Sequence, residues 1–300
     1  MSITSNSSSR PRLACEITAE RVIAARGNAA HRALEVYSTR RLPTGTLLPS
    51  LSGANIHQPE ALRTAVGSAL ESVSGNLRDV MVIIPDAAVR VLLLDFDDLP
   101  QKYEDAAAVI RFRAKKSLPF DVESAAFSFQ VDRSKRPLKV TAAFSPRDVV
   151  QEYENVIADA GYIAGAVLPS IIATLGLVEA SRPTMIVKVD GATTTVSIVD
   201  DNSLILVRTL EIPGRTVLTT QDISANVLPS MVFFEDTYSS KVERLLVTGD
   251  AEMQTLASVL QTETNVRVEP LASASLSGDG LGDTLPPSVL APVAGGLTGA

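Results

Sequence analysis

The residues able to do chemistry in this 300-residue chain are few and scattered. Its two histidines, His31 and His57, have no Cys or acidic neighbours at metal-ligand spacing and read as loop or strand residues. No G-x-S-x-G elbow occurs, so Ser-His-Asp hydrolysis has no motif to stand on. The one cysteine, Cys15, lies in an apolar stretch and is expected to be a buried, inert thiol. Gly278-Asp279-Gly280-Leu281-Gly282 looks like a phosphate loop. It is followed by Pro286-Pro287 and not by a strand–helix unit, so a flexible linker is expected there. Asp190-Gly191 is a turn signal of the commonest kind. Arg111, Arg113, Lys115 and Lys116 share one helix before Leu118-Pro119-Phe120, and most of that charge reads as a solvated face.

The elements that must position these residues follow from composition and periodicity. Hydrophobic residues make up 45% of the chain and aromatics 4%, with no Trp. The core is therefore built from Ala, Val, Leu and Ile, in mixed helix and sheet layers. A net charge of -7 argues against wholesale binding to nucleic acid or anionic lipid. A lone cysteine fits a cytosolic protein. Residues 1–10 are mostly Ser, Thr and Asn; they predict a flexible tail, not a signal peptide. Residues 160–178 carry no formal charge. Gly161, Gly165, Pro169 and Gly176 break them into a strand near Tyr162–Val167 and a short buried helix from Pro169, so no membrane span is expected.

Leu13, Cys15 and Ile17, then residues 22–25 and 33–37, alternate like strands. Residues 59–74 place Leu62, Val66, Leu70 and Val73 on one helical face, and Gly75-Asn76 stops them. The apolar run 80–84 predicts a buried parallel strand. Strands over 90–96, 124–131 and 138–144 surround a helix over 103–117, and Pro146 opens another helix through Ala160. Beyond Pro183, strands over 185–189, 194–199 and 204–212 precede a helix over 222–238. A strand over 244–247, a helix over 251–261 and a strand over 266–268 follow. A loop over 273–287 leads to a short final helix over 288–300. Two units thus share a plan of meander, helix, strand, helix, strand, which suggests two lobes around a cleft.

Three passages resemble the PilM family of type IV pilus assembly proteins and, more loosely, the cell-division protein FtsA. They are Val82-Ile83-Ile84-Pro85 with Val91-Leu92-Leu93-Leu94 and Leu99-Pro100; Ala114 to Asp121 with Phe127-Ser128-Phe129; and Leu290 to Leu297. The resemblance implies an α/β fold of two actin-like (ASKHA, ribonuclease H-like) lobes. Residues 11–180 would form the first lobe, with an inserted α+β subdomain over about 93–150, and residues 181–300 the second.

The fold so implied binds nucleotide phosphates with one hairpin turn per lobe, where Gly and Ser/Thr let backbone N–H groups face phosphate. The first turn here is Glu16 to Arg21, with Glu16 and Thr18 where the family has Asp and Gly. The second keeps Gly191, Thr193 and Thr194. Its acid, Asp190, stands one residue from Gly191 where the family has two, which would point it to the opposite strand face. Gly214 and Gly249 are what remains of two further glycine turns. The resemblance implies an ATP/Mg site at these eight residues, and its eroded turns imply a shape kept without catalysis. An ATP-binding switch or ATPase of the same fold is the alternative, and a sugar-kinase-like enzyme, which needs a cleft Asp, is a further one. The family resemblance also implies a partner, the cytoplasmic N-terminal peptide of a PilN-like single-span membrane protein. Leu118, Pro119 and Phe120 would supply an apolar wall for it, and Arg111 and Lys115 a charged rim. The chain would then be a cytoplasmic scaffold, reaching the inner membrane through partners.

Overall fold

The computed structural model describes residues 10–30, 33–212, 215, 217–250, 252–271, 279–281 and 284–299. Two sheets repeat one topology. In the first lobe, β1 (Leu13–Ile17), β2 (Arg21–Gly27) and β3 (Leu34–Arg41) form an antiparallel meander. Onto it β4 (Asp79–Ile84) and β8 (Ile163–Pro169) add in parallel. In the second lobe, β9 (Thr184–Asp190), β10 (Thr193–Asp200) and β11 (Ser203–Glu211) form the meander. There β12 (Arg244–Gly249) and β13 (Arg267–Pro270) are the parallel pair. The meander–helix–strand–helix–strand plan read from the sequence is therefore present twice.

Local chemistry explains the elements. Helix α1 (Pro59–Ser74) starts with Pro at its first turn, where a missing N–H costs nothing, and buries Leu62, Val66, Leu70 and Val73 as its period demands. All of Val80–Ile84 is buried, and β4 pairs in parallel with both β1 and β8. Asp201 and Asn202, both at positive φ, make the tight turn between β10 and β11. Helix α5 (Thr220–Tyr238) opens on a reciprocal capping box between Thr219 and Asp222.

Between β4 and β8 lies a subdomain made of β5 (Arg90–Phe96), α2 (Tyr103–Ala114), β6 (Ala125–Asp132) and β7 (Leu138–Pro146). Its sheet order is β5-β7-β6, and Ile110, Ala114, Val140, Ala142 and Phe144 form its core. These elements run from Arg90 to Pro146, where an insertion over about 93–150 was expected. Helix α3 (Arg147–Asp159) belongs to the first lobe, where Val149, Tyr153, Val156 and Ile157 pack with α1 residues.

The C-terminal segment departs from the expected division at residue 181. β14 (Asp279–Leu281) pairs in parallel with β3 of the first lobe, where a linker had been expected. Helix α7 (Ala291–Thr298) places Val293, Ala294 and Leu297 against Ile23, Ala25, Met81 and Ile83 of the first sheet. It crosses α4 (Ser170–Leu175) so closely that a Cβ at Gly295 would stand 2.1 Å from the Ala173 carbonyl. A small-residue helix buried on all sides carries no sequence signal for which sheet it joins. The tail Met1–Ser9 and His31 lie outside the described residues.

Candidate functional site

The two lobes meet at the β1–β2 and β9–β10 hairpins. In the first, Thr18 occupies the place where a glycine was sought. Its Oγ1 donates to the Arg21 carbonyl at 3.1 Å and accepts from the Arg21 N–H at 3.1 Å, so the side chain closes its own turn. Glu16 is buried, and its Oε1 accepts from Ser170 Oγ at 2.7 Å. Burial pushes its carboxyl up to about 8, against the pull of Lys188 and the Ser170 hydrogen bond.

In the second hairpin, Gly191 turns at positive φ, and the Thr194 Oγ1 accepts from Asn226 Nδ2 of α5 at 3.3 Å. Thr193 is half-buried on the wall of an open cavity of about 580 Å³ in front of both hairpins. Asp190 does not point away from the cleft as expected. Val187 and Val189 face the second-lobe core, so Lys188 and Asp190 share the opposite, cleft-facing side of β9. Gly249, at φ +106°, lies so close to β9 that a Cβ would stand 1.9 Å from the Val189 carbonyl. That contact alone demands a glycine there. Gly214 lies outside the described residues.

Four residues not singled out in the sequence complete the site. Lys188 is 3% exposed, and its Nζ stands 3.7 Å from Asp86 Oδ2 and 3.7 Å from Asp190 Oδ2. Burial pulls its ammonium down, but Asp190, Asp86 and Glu16 outweigh that and hold it above its ordinary value. Asp86 follows β4 in the first lobe, and its Oδ1 accepts from the Ile171 N–H at 2.7 Å. Burial raises its pKa, with Lys188 and the Ile171 N–H opposing. Arg21 of the first hairpin pairs with Asp250, just past β12, at 3.1 Å. Burial pushes Asp250 up to about 6, and Asp190 adds to that. Between these groups, against Gly249, Val289 and Pro292, only about 10 Å³ stays open, room for about one water. Asp86 and Asp190 are the cleft acids a sugar-kinase-like reading would need, and each faces the Lys188 ammonium. Lys188 had a signal, a lone charge in the run Met185-Ile186-Val187-Lys188-Val189.

A second opening lies beside the inserted subdomain. About 570 Å³ is enclosed by β6 and β7 (Gln130, Val131, Thr141), the first lobe (Leu168, Ile172) and the β10–β11 turn at Leu204. β6 is an outer strand of its sheet, so one row of its backbone groups is turned away from β7. Arg111, Lys115, Leu118, Pro119 and Phe120 lie elsewhere on the subdomain. Arg111 stacks over Phe127 with its guanidinium carbon 4.8 Å from the ring centre, and Leu118 and Phe120 pack on the subdomain core. Lys115 and Pro119 are exposed. No helix of the described residues is long and apolar enough to cross a membrane.

No family model matches the sequence, and no curated protein does. Solved structures do match. Over 96% of its length the chain superposes on 98% of a chain of the PilM–PilN type IV pilus biogenesis complex, with a TM-score of 0.78 at 17% identity. The fold is PilM-like and actin-like. The cytoplasmic domain of EpsL, an inner-membrane component of the type II secretion system of Vibrio cholerae, matches with a TM-score of 0.55 at 11% identity, covering 96% of this chain and 95% of that one. A Bacteroides thetaiotaomicron protein of actin-like ATPase fold and unknown function matches with a TM-score of 0.54 at 10% identity, with 95% of each chain covered.

Proposed function

We propose that this PilM-like chain is a non-enzymatic cytoplasmic adaptor of the inner-membrane assembly platform of a type IV pilus or related secretion system. It would hold the cytoplasmic N-terminal peptide of a PilN-like single-span protein and so reach the membrane through that partner. The observation that carries the reading is the groove of about 570 Å³ bounded by the outer strand β6, on a fold matching the PilM–PilN complex end to end. An extended peptide laid along β6 would gain backbone hydrogen bonds, with Val131, Leu168 and Ile172 as apolar walls. Thr18 where a phosphate turn would want glycine, and Asp86 and Asp190 already facing the Lys188 ammonium, support a nucleotide site that has lost its catalysis.

Titration of the chain with the N-terminal cytoplasmic peptide of a PilN-like single-span protein from the same organism tests this reading. Saturable binding is expected with or without ATP; none in either condition sinks it. The open cavity in front of the hairpins, about 580 Å³, is the observation on the side of an ATP-binding switch. Thermal melting with Mg²⁺ and ATP separates the two, because a ligand of the folded state raises Tm.

A further inference from the structure

We propose that the Lys188 ammonium is a built-in cation that holds the two lobes closed, doing with a covalently attached charge what a cleft otherwise needs a diffusible ligand to do. The inference rests on the geometry of the cleft and not on which partner fills the groove.

Ionised carboxylates crowded into one buried space repel unless a cation lies among them or one of them takes up a proton. Lys188 projects from β9 of the second lobe, and its Nζ faces Asp86 of the first lobe at 3.7 Å. Asp86 is held for this contact. Its Oδ1 takes the Ile171 N–H, its Oδ2 is buried on the side of the ammonium, and the Thr195 hydroxyl of β10 also acts on the carboxylate. Asp190 flanks the ammonium from its own strand, and Glu16 and Asp250 add to the negative potential around it. Among the described residues no three His, Cys, Asp or Glu side chains converge as a metal-ligand set, so the ammonium is the cation this arrangement uses. Arg21–Asp250, across the same small gap, repeats the device with the charges reversed, the cation now on the first lobe. Opening the lobes gives up the Lys188–Asp86 attraction in exchange for hydration. Removing either partner instead leaves the other as an uncompensated buried charge for as long as the cleft stays closed, so loss of Asp86 or Lys188 favours the open form.

The two carboxylates beside Lys188 give the test its control, because Asp86 lies across the cleft and Asp190 does not. Spin labels on Thr64→Cys of α1 and Gln254→Cys of α6, both exposed, would report the distance between lobes; Cys15 is buried and stays unlabelled. The unsubstituted cleft is expected to give one narrow distance, unmoved by Mg²⁺ and ATP. Asp86→Asn, which keeps the acceptor for the Ile171 N–H, should raise the population at longer distance at least about tenfold. Asp190→Asn should leave it near the starting level, and Lys188→Met should exceed both. Equal responses to the two Asn variants, no response to Asp86→Asn, or a distance that shifts with Mg²⁺ and ATP in the unsubstituted cleft would each overturn the proposal. The Asn pair decides the matter even where Lys188→Met fails to fold. Peptide binding at the groove is a separate readout, so failure of the adaptor reading leaves this result standing.

Discussion

The gap between the hairpins and the groove beside the inserted subdomain are both places where separate parts of the chain meet. One keeps about 10 Å³ open and the other about 570 Å³. The difference lies in what the walls carry. Across the gap, opposite charges face each other, buried Lys188 with buried Asp86 and half-buried Arg21 with half-buried Asp250. Across the groove the walls are residues of the paired strands β6 and β7, among them Asp132 and Lys139, with small polar side chains and a few aliphatics. The ion pair Lys135–Asp201, at 3.0 Å, joins the subdomain to the second lobe through exposed side chains, and solvent screens it. Buried charge pairs resist separation, and a screened pair leaves the neighbouring walls free to admit a guest. The same architecture is therefore held by ion pairs at one junction, behind the open cavity of about 580 Å³ in front of the hairpins, and left to a screened pair at the other.

The sharpest way to break this contrast is to remove the buried cation. Lys188→Met strands Asp86 and Asp190, and the expected cost of about 4 kcal/mol lowers Tm by about 10 °C in a thermal melt. A cost near zero would make the gap no different from the groove.

Glu16 sharpens the picture through pH. Its ordinary value is 4.5 and its folded value is raised to about 8, so the folded state holds the proton more tightly than the unfolded one. Stability from Glu16 is complete below about 4.5 and is lost as pH rises toward 8, on the order of 5 kcal/mol in all. Ser170, Lys188, Asp190 and Asp250 are the groups acting on it. Glu16→Gln should flatten Tm against pH across that window; an unchanged slope would show that the gap is wetter than its geometry implies.

Gly249→Ala probes the packing of the same gap. With φ at +106° and the Val189 carbonyl in the way of any Cβ, a loss of about 2 kcal/mol or more in denaturant unfolding is expected. The smallest effect belongs to the groove. Ile172→Glu puts a charge on its apolar wall and should weaken the PilN-like peptide about tenfold, or 1.4 kcal/mol, in a titration while leaving Tm within a few degrees.

Much of this architecture was legible in the amino-acid pattern because the helices and meanders obey their periods. Helix α1 starts at Pro59 and ends at Ser74, as its apolar spacing and Gly75 require, and Asp201-Asn202 turns where it should. The face of Asp190 was not legible. Residues 185–189 are buried on both sides of β9, so alternation separates two faces without saying which one meets the cleft. Lys188 stood out as a charge in an apolar strand, but its partner Asp86 is distant in sequence, and no local rule joins them. The partner groove was expected around Leu118 to Phe120, and the opening proposed for it lies elsewhere on the same subdomain. Its walls come from three separate stretches of chain, and only tertiary packing brings those together.

The return of α7 to the first lobe has a consequence for biosynthesis. Ile23, Ala25, Met81 and Ile83 are made before the second lobe, yet the side chains that cover them, Val293, Ala294 and Leu297, are made only after its sheet is complete. Throughout synthesis of the second lobe, that apolar face lacks its lid, which makes the nascent chain a client for chaperones. A truncated product ending before residue 289 would keep a complete second-lobe sheet and still be sticky.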